Sequence, residues 1–160
     1  MTIKTGEKIP PLTLYVMTDG GPKPVSTDDL LNGKKVVLFA LPGAFTPTCS
    51  ASHLPGYVVH ADAIKEKGVD TIICLSVNDP FVMDAWGKSQ NADGQVLMLA
   101  DGNCEFTRAV GLEMDGSGVG MGPRSQRYSM IIEDGTVTAL NVEQPREFKV
   151  SSAEAILKQL

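Results

Sequence analysis

Six apolar residues follow one another in Val36-Val37-Leu38-Phe39-Ala40-Leu41, with no polar residue between them. A run without alternation predicts a strand buried on both faces, central in a helix-covered sheet. Val69 to Val77 predicts a second buried strand and Val96 to Ala100 a third. Between the first two the spacing changes. From Pro47 to about Lys67, Leu54, Val58, Ala61 and Ile64 recur at three- and four-residue intervals, which predicts a helix ended by Gly68. Pro55, inside that stretch, is expected to kink it or break it in two. Pro80 to about Ser89 predicts a helix capped by Asp79, and Cys104 to Val110 a short helix closed by Gly111.

The flanking segments complete the pattern. Leu12 to Val16 predicts a short strand before the Gly20-Gly21-Pro22 turn, and Ser26 or Thr27 caps a turn of helix through Leu31. Arg127 to Glu133 and Thr136 to Val142 flank Asp134-Gly135, a strong hairpin signal. Ser151-Ser152-Ala153-Glu154 reads as a capping box opening a last helix that runs to the C-terminus. The order β-α-β-α-β-α-β-β-α predicts a three-layer α/β domain with a mixed central sheet. A parallel front half and an antiparallel hairpin at the end fit a thioredoxin-like arrangement, expected as one domain over residues 1–160.

Composition narrows the partners. The 160 residues are 42% apolar, enough for one buried core, and carry a net charge of -5. That balance argues against nucleic acid and anionic membranes, which call for a basic stripe. No apolar run approaches the roughly 18 residues of a membrane span, and the first residues lack a signal's apolar stretch. The expectation is a soluble, cytoplasmic domain. Cys49, Cys74 and Cys104 are too far apart for C-x-x-C, so neither a zinc site nor a local dithiol is encoded. No metal and no cofactor is expected.

Chemistry concentrates in Pro42-Gly43-Ala44-Phe45-Thr46-Pro47-Thr48-Cys49, between the first buried strand and the long helix. Catalytic groups of open α/β sheets gather beyond the carboxyl ends of strands. With Thr46 as cap and Pro47 at the first helical position, Cys49 falls in the first turn, where free N–H groups and the helix dipole favour an anion. A thiolate at neutral pH is the expectation. His53, four residues on, shares a helical face with Cys49. It reads either as an orienting residue or as the base of a cysteine hydrolase. His60 is expected to face solvent, without a role. Gly116 to Gly122 alternates as G-x-G-x-G-x-G, matches no nucleotide-binding pattern and reads as a surface loop. Arg124 and Arg127, at the mouth of the final hairpin, are rim charges by default, yet either is placed to supply a cation to the thiolate.

The Pro42-x-x-x-Thr46-x-x-Cys49 spacing resembles the peroxidatic motif of the peroxiredoxins, and Pro-Gly-Ala-Phe-Thr-Pro-Thr-Cys-Ser is similar to that of their type II, atypical two-cysteine branch. The resemblance extends through Lys34-Lys35-Val36-Val37-Leu38-Phe39, His53-Leu54-Pro55-Gly56, Leu75-Ser76-Val77-Asn78-Asp79-Pro80-Phe81, Leu99-Ala100-Asp101-Gly102 and Arg127-Tyr128-Ser129. It implies a thioredoxin-like fold and reduction of hydrogen peroxide and alkyl hydroperoxides. Cys49 would be the peroxidatic cysteine, passing through a sulfenic acid. Thr46 would hydrogen-bond the peroxide, Pro42 would shield the sulfenate, and Arg127, rather than Arg124, would hold the thiolate. A homodimer is also implied. Displacement on a peroxide puts negative charge on the leaving oxygen, so donors aimed there favour the transition state.

The chain departs from the branch in its second thiol. The tail from Gln144 to Leu160 has no cysteine, Cys74 lies in a strand that reads as buried, and Cys104 stands where the family has other residues. The cycle is therefore expected to close through an outside thiol: glutathione with glutaredoxin, or thioredoxin. The alternative is a peroxide sensor or holdase that relays oxidation to a partner protein.

Overall fold

A computed structural model describes all of residues 1–160. Its centre is the run of apolar residues read first: β3 (Lys35–Ala40) pairs in parallel with β4 (Thr71–Ser76), which pairs in parallel with β5 (Leu97–Ala100). On one flank β1 (Thr13–Thr18) runs antiparallel to β5 and carries β2 (Gly21–Ser26) at the edge. On the other, β8 (Tyr128–Glu133) runs antiparallel to β3 and carries β9 (Thr136–Val142). The seven-stranded order is β2-β1-β5-β4-β3-β8-β9, and β6 (Glu113–Asp115) with β7 (Pro123–Ser125) forms a separate two-stranded ribbon.

The period-two alternation of β3 divides the core. Val37, Phe39 and Leu41 pack, with Ile72 and Cys74 of β4, under α2 (Leu54–Val59), α3 (Ala61–Glu66), α4 (Pro80–Ser89) and α6 (Ala153–Leu157). Val36, Leu38 and Ala40 face the opposite layer with Leu31 of α1 (Thr27–Leu31) and Phe106 of α5 (Glu105–Ala109). The expected three layers and mixed sheet are present. Ser26 caps α1 by accepting from the Asp29 amide, and Asp79 caps α4 by accepting from the Val82 amide. Asp134 and Gly135 turn β8 into β9 with φ of 50° and 79°, a left-handed pair that Gly135 adopts without strain.

Four expectations need correction. The Pro/Gly-punctuated stretch after Gly20 is a strand, β2, because an edge strand has one side free of ladder bonds and so tolerates Pro22 and Pro24. The glycine-rich segment is likewise more than a surface loop, since β6 and β7 pair across it. Pro55 sits at the start of α2, and the turn before it, Cys49–His53, widens into a π-turn in which the Leu54 amide donates to the Cys49 carbonyl. Proline lacks the N–H that would continue the narrower α ladder there. The break into two helices falls later, at His60. The capping box does not form either. Ser152 caps α6 by accepting from the Ala155 amide, Glu154 pairs with His60 at 3.6 Å, and the helix stops at Leu157.

Phe39 stacks face to face on Tyr57, with ring centroids 3.9 Å apart and planes 4° from parallel, and both rings are fully buried. This stack fastens β3 to α2. Phe39→Ala should lower unfolding stability by about 3–5 kcal/mol, read as a shift of the urea midpoint at unchanged slope.

Candidate active site

Strand register assembles the site. Ala40, the last residue of β3, lies opposite Tyr128, the first of β8, so Arg127 emerges beside the loop that follows β3. Alternation along β8 puts Arg127 on the face of Ser129 and Ile131, the face covered by α2 and α6. Val142, the last residue of β9, also pairs with Tyr128, which leaves Glu143 next to Arg127, its amide donating to the Arg127 carbonyl at 2.9 Å. Segments some eighty residues apart thus meet where the Cys49 turn begins.

The loop from Pro42 to Thr46 is pinned from several sides. The Thr46 hydroxyl donates to the Gly43 carbonyl at 2.6 Å, and the Thr46 carbonyl accepts from the Ser50 amide at 3.0 Å. Thr46 therefore caps the helix through its backbone and not through its side chain. Its hydroxyl proton is taken, so its lone pairs are what it offers a ligand. The Ala44 amide donates to Asn78 Oδ1, and Arg124 donates to the carbonyls of Pro42 and Met121 at 3.2 and 3.0 Å. A β-carbon at Gly43 would stand 2.6 Å from Nη1 of Arg124, so a side chain there would push the guanidinium away from the loop. Phe45 holds a left-handed φ of 66° and is 57% exposed. Arg124 buttresses this loop; no hydrogen bond joins it to the sulfur.

Cys49 has no exposed surface. Nη2 of Arg127 donates to its Sγ at 3.1 Å. The backbone N–H groups of Thr48 and Cys49 have no acceptor in the chain, as the first turn of a helix leaves them. Arg127 reaches His53 with its other arm: Nη1 donates to Nδ1 at 2.7 Å. Arginine only donates, so Nδ1 is bare and the imidazole proton sits on Nε2, which donates to the Ser151 carbonyl at 3.0 Å. Burial, and then the charge of Arg127, hold the His53 pKa down to about 3. Neither ring nitrogen is available to take a proton from Cys49, so the hydrolase alternative falls and His53 is an orienting residue. Phe148 completes the enclosure, with its ring 5.0 Å from that of His53 and 5.8 Å from the Arg127 guanidinium carbon. A cleft of about 660 Å³ opens on Arg127, with Pro42, Thr48, Met114 and Phe148 in its walls.

The other thiols are shut away. Burial pushes Cys74 well above the ordinary thiol range; charge on Cys49 adds to this and Arg127 opposes it. Cys104 is 2% exposed at a left-handed φ of 60°, and burial pushes its thiol up. All three cysteines are free. No group of three or more His, Cys, Asp or Glu side chains is placed to hold a metal ion. The sequence reading missed Glu143, Phe148, Ser151, Tyr57 and Trp86. Trp86 Nε1 donates to Ser50 Oγ beside Cys49, and Tyr57 Oη donates to the Ser151 carbonyl. The one available signal was Ser151, and the capping-box reading absorbed it.

The family model named Redoxin matches residues 4–157. Peroxiredoxin-2E-2, chloroplastic, of Oryza sativa subsp. japonica is 51% identical over 164 residues, covering 99% of this chain and 73% of that protein. Peroxiredoxin-2D of Arabidopsis thaliana is 48% identical, covering 99% of this chain and 98% of that one. The crystal structure of reduced Prx3 in complex with H2O2 from Vibrio vulnificus superposes with a TM-score of 0.95 at 57% identity, covering 99% of each chain.

Two outcomes follow from the geometry. Arg127→Ala removes the cation at the sulfur, so alkylation of Cys49 near neutral pH should slow by about tenfold or more, followed by mass spectrometry of the labelled peptide. The second concerns acid. Between about pH 6.5 and about pH 3 the unfolded chain binds a proton that native His53 refuses. The stability from this group is therefore complete above about 6.5 and drains away as the pH falls toward 3. His53→Gln should flatten that slope, measured as urea midpoints across the interval.

Proposed function

The chain belongs to the type II peroxiredoxins and is a thiol-dependent peroxidase with the thioredoxin-like fold, and on that premise we propose that Cys49 is its peroxidatic residue. The observation that carries the assignment is the 3.1 Å donation from Arg127 Nη2 to Cys49 Sγ, with the rest of that guanidinium held by His53. The Cys49 thiolate attacks one peroxide oxygen, the S–O bond forms as the O–O bond breaks, and the other oxygen leaves as hydroxide or alkoxide and takes a proton from solvent. Arg127 and the free amides of Thr48 and Cys49 meet the charge that grows on the leaving oxygen. Thr46 accepts the peroxide's O–H through a lone pair, and Pro42 screens the sulfenic acid from water. The relative from Vibrio vulnificus, crystallised with H2O2, supports the smaller substrate; a cleft of about 660 Å³ supports alkyl hydroperoxides as well.

An outside thiol then attacks the Cys49 sulfenic acid, forming a mixed disulfide and releasing water, and a second thiol frees Cys49. Glutathione with glutaredoxin, or thioredoxin, is the reductant in this reading, because Cys74 and Cys104 are both buried and protonated. We read residues 1–160 as one domain that pairs with a second copy, supported by Phe45 and Phe81, exposed at 57% and 64%. Three free cysteines suit a reducing compartment, here taken as the cytoplasm. No helix is long and apolar enough to cross a membrane.

Continuous peroxide consumption tests the assignment. Cys49→Ser should abolish turnover. The Cys74→Ser/Cys104→Ser double variant should keep full turnover with glutathione and glutaredoxin or with thioredoxin, over many equivalents of peroxide. A sensor would stop after about one. With one equivalent of peroxide and no thiol, mass spectrometry should find Cys49 oxidised as sulfenic or sulfinic acid. A dominant Cys49–Cys74 or Cys49–Cys104 disulfide would overturn the outside-thiol cycle.

A further inference from the structure

The segment that joins β9 to α6 is wound around a buried carboxylate that the chemistry above does not use. Glu143 is 7% exposed and forms no ion pair with a lysine or arginine. Its Oε2 accepts from the amides of Lys149, Val150 and Ser151 at 2.8, 2.9 and 2.9 Å and from the Ser151 hydroxyl at 2.7 Å. Its Oε1 accepts from the Lys149 amide at 2.9 Å. Burial works against the charge, but the Ser151 hydroxyl and the three amides outweigh it and hold the carboxyl below its ordinary range. Residues 144 to 151 thus close on an ionised oxygen rather than on an apolar core.

We propose that Glu143 is a positioning residue for Cys49, acting through Ser151, His53 and Arg127. With its N–H and hydroxyl both bound to Glu143, Ser151 holds its carbonyl still for His53 Nε2 at 3.0 Å and Tyr57 Oη at 2.8 Å. An imidazole that donates from Nε2 presents a bare Nδ1, and that lone pair receives Arg127 Nη1. The opposite tautomer would aim a proton at the guanidinium and drive it from the sulfur. Two further restraints come from the same segment. Phe148 packs against His53 and the guanidinium, and the Glu143 amide holds the Arg127 backbone. Glu143 touches no reacting atom; its effect on Cys49 is through geometry and tautomer.

The inference rests on Cys49 being the peroxidatic residue, and its test includes a readout that needs no turnover. Because the chain has only two histidines, the ring nitrogens of His53 can be assigned by NMR in the nitrogen-labelled protein. Wild type should show a single Nε2–H tautomer. Glu143→Ala should mix the tautomers, lower kcat/KM for hydrogen peroxide by about 10²-fold, and slow alkylation of Cys49 at neutral pH. Glu143→Gln, which keeps the shape and one acceptor oxygen, should lose about tenfold; it carries the test if the alanine variant does not fold. Ser152→Ala removes the α6 cap without touching the relay, and should leave rate, pH profile and tautomer as in wild type. Loss of rate with the tautomer intact, or loss of the tautomer with the rate intact, would overturn the proposal. So would wild-type behaviour in both Glu143 variants. A Cys49→Ser protein that still consumed peroxide would instead overturn the assignment of Cys49, while the His53 signal would report on Glu143 as before.

Discussion

The 3.1 Å approach of Arg127 to Cys49 sets a permanent cation against a sulfur with no exposed surface. A guanidinium is charged at every pH a folded protein meets, and its withdrawal from water is costly unless its N–H groups find acceptors. The molecule meets that demand with neutral groups. One arm is given to an imidazole kept uncharged by burial, an aromatic ring covers the group, and the buried Glu143 carboxylate is occupied by five donor contacts from its own loop. Had a free carboxylate stood where His53 stands, the cation would be spent on it. Neutral scaffolding leaves the positive charge for the sulfur.

The sheet makes this arrangement reproducible. Because β8 runs antiparallel to β3, its first residue and the last residue of β3 share one end, and β9 returns to that end with Glu143. A one-residue slip of β8 would carry Arg127 to the far face, away from Cys49. Register is fixed by the alternation that buries Tyr128, Met130 and Ile132 on one side and Ile131 on the other. The same packing that stabilises the fold therefore aims the cation.

What was legible in the sequence follows from how far each signal reaches. The central strands, the Asp79 and Ser26 caps and the Asp134-Gly135 turn depend on neighbours a few residues away, and all were readable. Cys49 was singled out on equally local grounds, since cap, proline and thiol stand within one turn. Arg127 was preferred over Arg124 only through resemblance; composition and spacing leave the two equivalent, and the strand register separates them. β2 was hidden because its prolines argue against a strand until its edge position is known. Glu143 and Ser151 were hidden for a deeper reason. An acid in a polar stretch and a serine before a helix look ordinary, and their roles exist only through partners brought close by β9 and α2.

Trp86 is the chain's single tryptophan, and its indole N–H is bonded to Ser50, the residue after Cys49. Indole emission responds to the polarity and hydrogen bonding of its surroundings, and here the ring is fully buried against the turn that carries Cys49. A rearrangement that moves Ser50 would alter or break this contact. The protein thus contains its own optical gauge, without label or mutation, and a movement of that turn during the redox cycle would be read in the light the protein itself emits.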